Sequence, residues 1–479
     1  MDPSEFRRHG HALVEWIAGY LSNSEQYPVL PRVAPGEVRD ALPDRAPEAG
    51  EPFEKIFQDF ERVLVPALTH WNHPGFFAYF PATTSASGVL AEFLSAALNQ
   101  QAMLWRTSPA ATELEEVSLG WLRRLLGLPD AFEGVIYDTA SISSLHALAA
   151  ARQAAVPEVR ERGLAARADV GPLRIYCSEQ AHSSIDKAVL TLGLGQSSLR
   201  KIPVDSTFAL RADALRAAID EDRRGGITPV AVVATIGTTS STGVDPAAAI
   251  ARICREHRIW LHVDAAYAGV AAMLPECATH FAGWEDADSI VVNPHKWLFT
   301  PFDLSAFYCR RMPIVREAFS LVPDYLKTAE GTAGVRNLMD SGIQLGRRFR
   351  SLKLWMILRH FGAARLRAVL REHIRLAHEF AARVDEHPDF ERLAPVPFAT
   401  VCFRARPRAI TLTSPELDRF NEGVLDAVNA SGDVFLSHTR LNGAFVLRMA
   451  IGHLRTTSVH TGRAWNLLLE HTAALARAR

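Results

Sequence analysis

Residues 289–300, SIVVNPHKWLFT, set one lysine, Lys296, in an otherwise apolar and aromatic run. The chain has only six lysines (Lys55, Lys187, Lys201, Lys296, Lys327 and Lys353), so 46 of its 52 basic residues are arginine. A position that needed charge alone would follow that habit. A primary amine differs from guanidinium in that it loses its proton when desolvated and condenses with a carbonyl. The second group is Asp264 in IWLHVDAAYAG, 32 residues before Lys296. Singly, each has a plainer reading. Lys296 could lay its stem on Trp297 with its head in water, and Asp264 could cap whatever follows its strand.

Further polar groups follow other apolar runs. IYDTASISSLHALAAAR (136–152) passes from a strand into small hydroxyl residues and then an alanine-rich helix. Free amides at a helix N-terminus with Ser and Thr hydroxyls make an anion site. Thr139, Ala140 and Ser141 would supply it, with Asn293 adding an amide side chain; a serine-rich helix cap reads the same way. TIGTTSSTG (235–243) offers more hydroxyls or a polar turn. His182 in SEQAHSSIDKA could stack on a ring or be structural. Together, in this order, they match the needs of pyridoxal 5'-phosphate: a lysine for its aldehyde, an acid to keep the pyridine nitrogen protonated, and donors for its phosphate.

These groups must be positioned by a scaffold, and the runs GVIY, LRIYC, VAVVAT, IWLHV, SIVV and SAFY between residues 134 and 308 predict one. Near-continuous apolar strands alternating with helical stretches imply an α/β fold with a mostly parallel central sheet flanked by helices. Ligand sites in such sheets lie at the carboxyl ends of strands, where these polar residues fall. Residues 1–80 read as an N-terminal helical segment broken by prolines. It is a poor core by itself, so it is expected to pack elsewhere, on a second subunit for example. Residues 81–365 read as the large cofactor-binding domain and 366–479 as a smaller C-terminal α+β domain. Residues 326–342 read as a mobile loop.

At 479 residues, 48% hydrophobic and 22% charged, the composition is that of an ordinary globular protein. A net charge of -1 gives no field for nucleic acid or an acidic membrane. No apolar run reaches membrane-span length, and MDPSEFRRHG lacks a signal peptide's apolar core. Five scattered cysteines argue against a disulfide framework and a thiolate metal site, and no metal is expected. A cytoplasmic location is the expectation.

The sequence resembles the group II pyridoxal-phosphate decarboxylases, of the aromatic-L-amino-acid decarboxylase kind. The resemblance is carried by SEFRRHGHALVEWIAGYL, HWNHPGFFAYFPA, SPAATELEEVSLGWLRRLLGLP, AHSSIDKA, HVDAAYAG, NPHKWL, LGRRFRSLKLW and FVLRMAI. It implies a fold-type I, aspartate-aminotransferase-like architecture and a homodimer with shared active sites. It makes Lys296 the Schiff-base lysine, Asp264 the partner of the pyridine nitrogen and His182 the stacking residue that approaches the substrate carboxylate. Ala140, Ser141 and Asn293 match phosphate contacts, Thr239 and Ala266 further cofactor contacts, and His295 the residue beside the lysine. Tyr79, Phe80 and Pro81 match a substrate-pocket wall, and Trp105 would reach the pocket from the partner chain.

Two departures bear on the reaction. Family members often carry a loop tyrosine that protonates the substrate carbon. Counting back without gaps from LGRRFR puts Leu338 at that place, and Tyr325 matches a different family position. Ala82 stands where a hydroxyl residue often contacts substrate. The expected reaction is decarboxylation of an aromatic L-amino acid to its amine and carbon dioxide, with another donor such as His182 replacing the tyrosine. The alternative, motivated by Leu338, is oxygen-dependent formation of an aldehyde, ammonia and peroxide. A third reading is a cofactor-binding protein without turnover.

Overall fold

The computed structural model describes residues 1–165, 167–321 and 335–478. Tyr325 and positions 326–334 of the expected loop lie outside them. The chain divides into two compact units. One comprises Met1–Pro81, His378–Leu393 and Cys402–Arg479, the other Ala82–Ala377 and Ala394–Val401.

The second unit is built on seven strands: β1 (Glu133–Tyr137), β2 (Leu173–Ser178), β3 (Leu199–Ile202), β4 (Thr228–Thr235), β5 (Trp260–Asp264), β6 (Ser289–Val292) and β7 (Ser305–Cys309). Their spatial order is β1-β7-β6-β5-β4-β2-β3. The ladder from β3 through β2, β4 and β5 to β6 is parallel, while β7 runs antiparallel to both β6 and β1. Every residue of β5, β6 and β7 is buried, which is why these strands are apolar throughout rather than alternating. The mostly parallel α/β sheet expected from the sequence is present. The strand β3 and the reversal of β7 were not anticipated.

The helices that matter below are, in chain order, α1 (Pro3–Ser22), α2 (Phe53–Asp59), α3 (Ala86–Leu98), α4 (Pro109–Leu125), α5 (Ala140–Ala155) and α6 (Ser184–Thr191). α5 lies across β1 and β4 to β7. Its run Ala147–Ala151 is almost wholly buried, and alanine lets a helix approach a sheet this closely. A second, four-stranded sheet orders β10 (Ser437–Leu441), β11 (Ala444–Ala450), β9 (Thr400–Ala405) and β8 (Phe390–Arg392). All five cysteines are free and buried, and burial raises the pKa of every one.

The stretch after the undescribed residues differs from the loop expected there. Leu338–Ser341 is a 3-10 turn, with Leu338 only 1% exposed. Leu338 joins the core that holds Val135, Tyr137, Phe307 and Met312. Asn337 Oδ1 accepts from the Trp105 amide (3.1 Å), and Ser320 Oγ donates to Asp340 Oδ1 (2.9 Å). The pair Leu338–Met339, set between Asn337 and Asp340, is too short to show a period in the sequence; the turn geometry puts both side chains inward.

Candidate active site

Three strands of the second unit deliver their polar ends to one edge of the sheet. β5 ends at Asp264, and β6 is followed by Asn293 and the one-turn helix Pro294–Trp297 that carries Lys296. The two segments are stitched together. Ala265 N–H donates to the Val291 carbonyl, Asn293 N–H to the Ala266 carbonyl (both 3.0 Å), and Lys296 N–H to the Asn293 carbonyl (2.9 Å). Trp297 is fully buried, stacked on Tyr267 at 4.8 Å, and donates from Nε1 to His373 Nδ1 at 3.0 Å. The backbone under Lys296 is therefore fixed on both sides.

Asp264 is 5% exposed, and its Oδ1 accepts from the Ala266 amide at 3.0 Å. Thr235, the last residue of β4, is its register partner, so the two side chains share a face. Gly237, just beyond, has φ +87°, and any Cβ there would meet Ala268 Cβ at 2.6 Å; only glycine lets the β4 loop turn so tightly over the β5 loop.

His182 lies between β2 and α6. Its Nδ1 accepts from the Ser184 amide (3.2 Å) and lies 2.9 Å from Ser184 Oγ, so a neutral ring carries its proton at Nε2. His182 is exposed as a residue, yet enough protein surrounds it that burial lowers its pKa. Asp264 opposes that shift and Lys296 reinforces it. His182 thus senses both of the other groups. His295 is 3% exposed, accepts from the Leu304 amide at 2.8 Å, and is held neutral, its pKa pushed down to about 3 by burial and by Lys296. It is a buried partner of the chain beyond Lys296.

Thr139 is the N-cap of α5, with Ala140 and Ser141 in its first turn. Ile142 and Ser143 N–H return to the Thr139 carbonyl, which leaves the amides of Ala140 and Ser141 without intrahelical acceptors. Ala140 packs with Ala266 and Val291 in a small apolar cluster. Ser141 and Thr239 are exposed. Trp105 is half-buried, its indole N–H donating to Glu113 Oε1 at 2.8 Å. Ala82 opens the second unit and is partly exposed.

Tyr79, Phe80 and Pro81 belong to the first unit. Tyr79 has φ +50°, and its amide donates to Ser437 Oγ at 3.2 Å. Arg448, on β11 and 2% exposed, donates to the Tyr79 carbonyl and sets its guanidinium 4.4 Å from the centre of the Phe80 ring. This aromatic shelf is fastened by a buried cation.

Thr235 Oγ1 and Asn293 Oδ1 are buried without hydrogen-bond partners among the described residues, and they stand on either side of Asp264. Such atoms are rare in folded proteins. With the open amides of α5 and the Ala140–Ala266–Val291 patch, they fit a ligand with a flat polar ring and an anionic arm. Pyridoxal phosphate has that form. Thr235 opens the TIGTTSSTG run whose hydroxyls the sequence offered, but nothing in that run marked it from the others as the one beside Asp264. No group of His, Cys, Asp and Glu among the described residues could hold a metal ion, and no helix among them is long and apolar enough to cross a membrane.

Known proteins are similar to this chain over nearly its whole length. The model of the pyridoxal-dependent decarboxylase conserved domain covers residues 35–406. An aromatic-L-amino-acid decarboxylase of Sus scrofa is 42% identical over 487 residues, 99% of this chain and 97% of that protein. A phenylacetaldehyde synthase of Arabidopsis thaliana is 41% identical over 484 residues, again 99% and 97%. The crystal structure of Oryza sativa TDC with PLP and tryptamine has a TM-score of 0.95 at 36% identity, with 99% of both chains covered.

Proposed function

Because the chain belongs to the pyridoxal-dependent decarboxylases, and is a carboxy-lyase with pyridoxal phosphate as its cofactor, we propose that it converts an aromatic L-amino acid to its amine and carbon dioxide. The observation that carries the reading is the placement of Asp264 between the orphaned Thr235 and Asn293 oxygens, one strand from Lys296. When bound, the cofactor supplies an electron sink for the pair left as the Cα–carboxylate bond breaks. Lys296 offers the amine that holds its carbonyl and later frees the product. Asp264 holds a proton on the ring nitrogen. The amides of Ala140 and Ser141, with the Thr139 and Asn293 side chains, hold the phosphate, and Thr239 adds a hydroxyl nearby. Ala140, Ala266 and Val291 keep water from the ring. His182 covers its other face and, through Nε2–H, orients the substrate carboxylate. The aromatic preference draws on Tyr79, Phe80 and Trp105, and on the substrates named for the relatives.

The chain is proposed to work as a homodimer. Leu90, Phe93, Leu94 and Leu98 of α3 are each about half exposed, as are Phe6 and Val14 of α1 and Ile56 of α2. Apolar side chains in such numbers on single helices call for a covering partner.

Oxygen-dependent aldehyde formation is the second reading, and identity to an aldehyde synthase supports it. In that reaction amino acid, dioxygen and water give aldehyde, carbon dioxide, ammonia and hydrogen peroxide. Leu338 no longer argues for it, because that residue is core. Tyr325 is the sole tyrosine after Tyr308, and the buried tyrosines 137, 176, 267 and 308 are all core. The deciding assay supplies tryptophan, tyrosine, dopa or phenylalanine with and without dioxygen and quantifies amine, aldehyde and peroxide. Amine in proportion to carbon dioxide, with no peroxide, is expected; aldehyde formed only in air would overturn the first reading. Leu338→Tyr is expected to leave the product ratio unchanged and cost about 1–3 kcal/mol in overpacking.

A further inference from the structure

One level below the site, three elements are joined by a line of buried hydrogen bonds. His262 lies on β5 two residues before Asp264 and so on the same face of the sheet. It is fully buried, with Nε2 3.1 Å from Ser144 Oγ and Nδ1 3.0 Å from Ser289 Oγ. Trp260 Nε1 donates to the same Ser289 oxygen at 2.9 Å. Ser144 stands one helical turn below Ala140, at the start of α5. Ser289 opens β6, four residues before Asn293. The line therefore runs from the phosphate end of α5, through the strand of Asp264, to the strand that leads to Lys296.

We propose that His262 is a positioning residue that fixes the spacing between the phosphate-holding turn of α5 and the strands bearing Asp264 and Lys296. The inference rests on the roles given to those groups above. A buried imidazole suits the task because its two nitrogens lie on opposite sides of a rigid ring. One donates and the other accepts, so it spans two hydroxyls at once. Burial keeps it uncharged, its pKa pushed down to about 4. An aliphatic residue of similar bulk would fill the space, remove the partner of Ser144 and leave Ser289 only the bond from Trp260. The proposal is specific about direction. Loss of the Ser144 link should loosen the phosphate end of the cofactor and spare the ring end.

The test titrates apoprotein with pyridoxal phosphate and with pyridoxal, which lacks the phosphate, and follows cofactor absorbance. His262→Leu and Ser144→Ala are each expected to weaken pyridoxal phosphate about five- to tenfold, the net worth of a hydrogen bond. Ser144→Ala should change pyridoxal binding far less. His262→Gln, which keeps a donor and an acceptor, should recover part of the loss. The double variant should bind no worse than His262→Leu alone, because both break one link. Wild-type affinity in both single variants, or equal losses for the two ligands in Ser144→Ala, would overturn the proposal. If His262→Leu does not fold, Ser144→Ala carries the test. Wild-type protein that takes up no cofactor would instead sink the site assignment itself.

Discussion

Lys296 can move only about its side-chain bonds, because Pro294, the Asn293 carbonyl and the buried Trp297 hold the turn beneath it. Lys296→Arg keeps the charge and removes the chemistry. Cofactor colour characteristic of an imine is expected to vanish and turnover to fall by about 10³-fold or more; near-normal turnover would refute the assignment. His182 gives a second, signed prediction. Asp264 raises its pKa and Lys296 lowers it, against a larger lowering by burial. In apoprotein, Asp264→Asn should therefore move the His182 titration to lower pH and Lys296→Met to higher pH, read by imidazole NMR shifts. Movement in the same direction would mean that the three side chains are not neighbours.

At the scale of elements, the edge strand β1 is held by a buried ion pair. Arg347 makes two bonds to Glu115 of α4, at 2.9 and 3.2 Å, and donates to the Ile136 carbonyl, while Ile136 N–H donates back to Glu115. Both side chains are at most 5% exposed. Arg347→Met strands the Glu115 carboxylate, and a loss of about 3–5 kcal/mol is expected in urea unfolding. Glu115→Leu with Arg347→Met should recover most of it; a double variant as weak as the single would show that the charge is not the cause. That pairing was not legible in the sequence, where 115 and 347 are remote and each reads as a solvated charge. The apolar strands were legible because full burial leaves no polar positions in them. β3 was not, because this edge strand shows Lys201 to solvent and has only four residues. The direction of β7 depends on a connection whose length alone does not decide it. Lys296, Asp264 and His182 stood out by residue type and by their place after strands. Ser144 and Ser289 did not, and Thr235 was only one hydroxyl of a run, since small hydroxyl residues occur everywhere and only the fold shows which are enclosed.

On the scale of the molecule, the exposed leucines of α3 predict association. Phe93→Glu with Leu94→Glu is expected to give a smaller species by sedimentation and to reduce activity. A variant that sediments as wild type would remove α3 from the interface. The thiols have a different whole-molecule consequence. All five lie out of solvent with their ionisation suppressed, so the folded protein should take up no iodoacetamide at neutral pH. The exterior is then chemically silent toward maleimide dyes without any native residue being replaced. One cysteine installed on α1 or α3 would become a unique handle, letting a fluorophore report whether those faces become covered when copies of the chain meet.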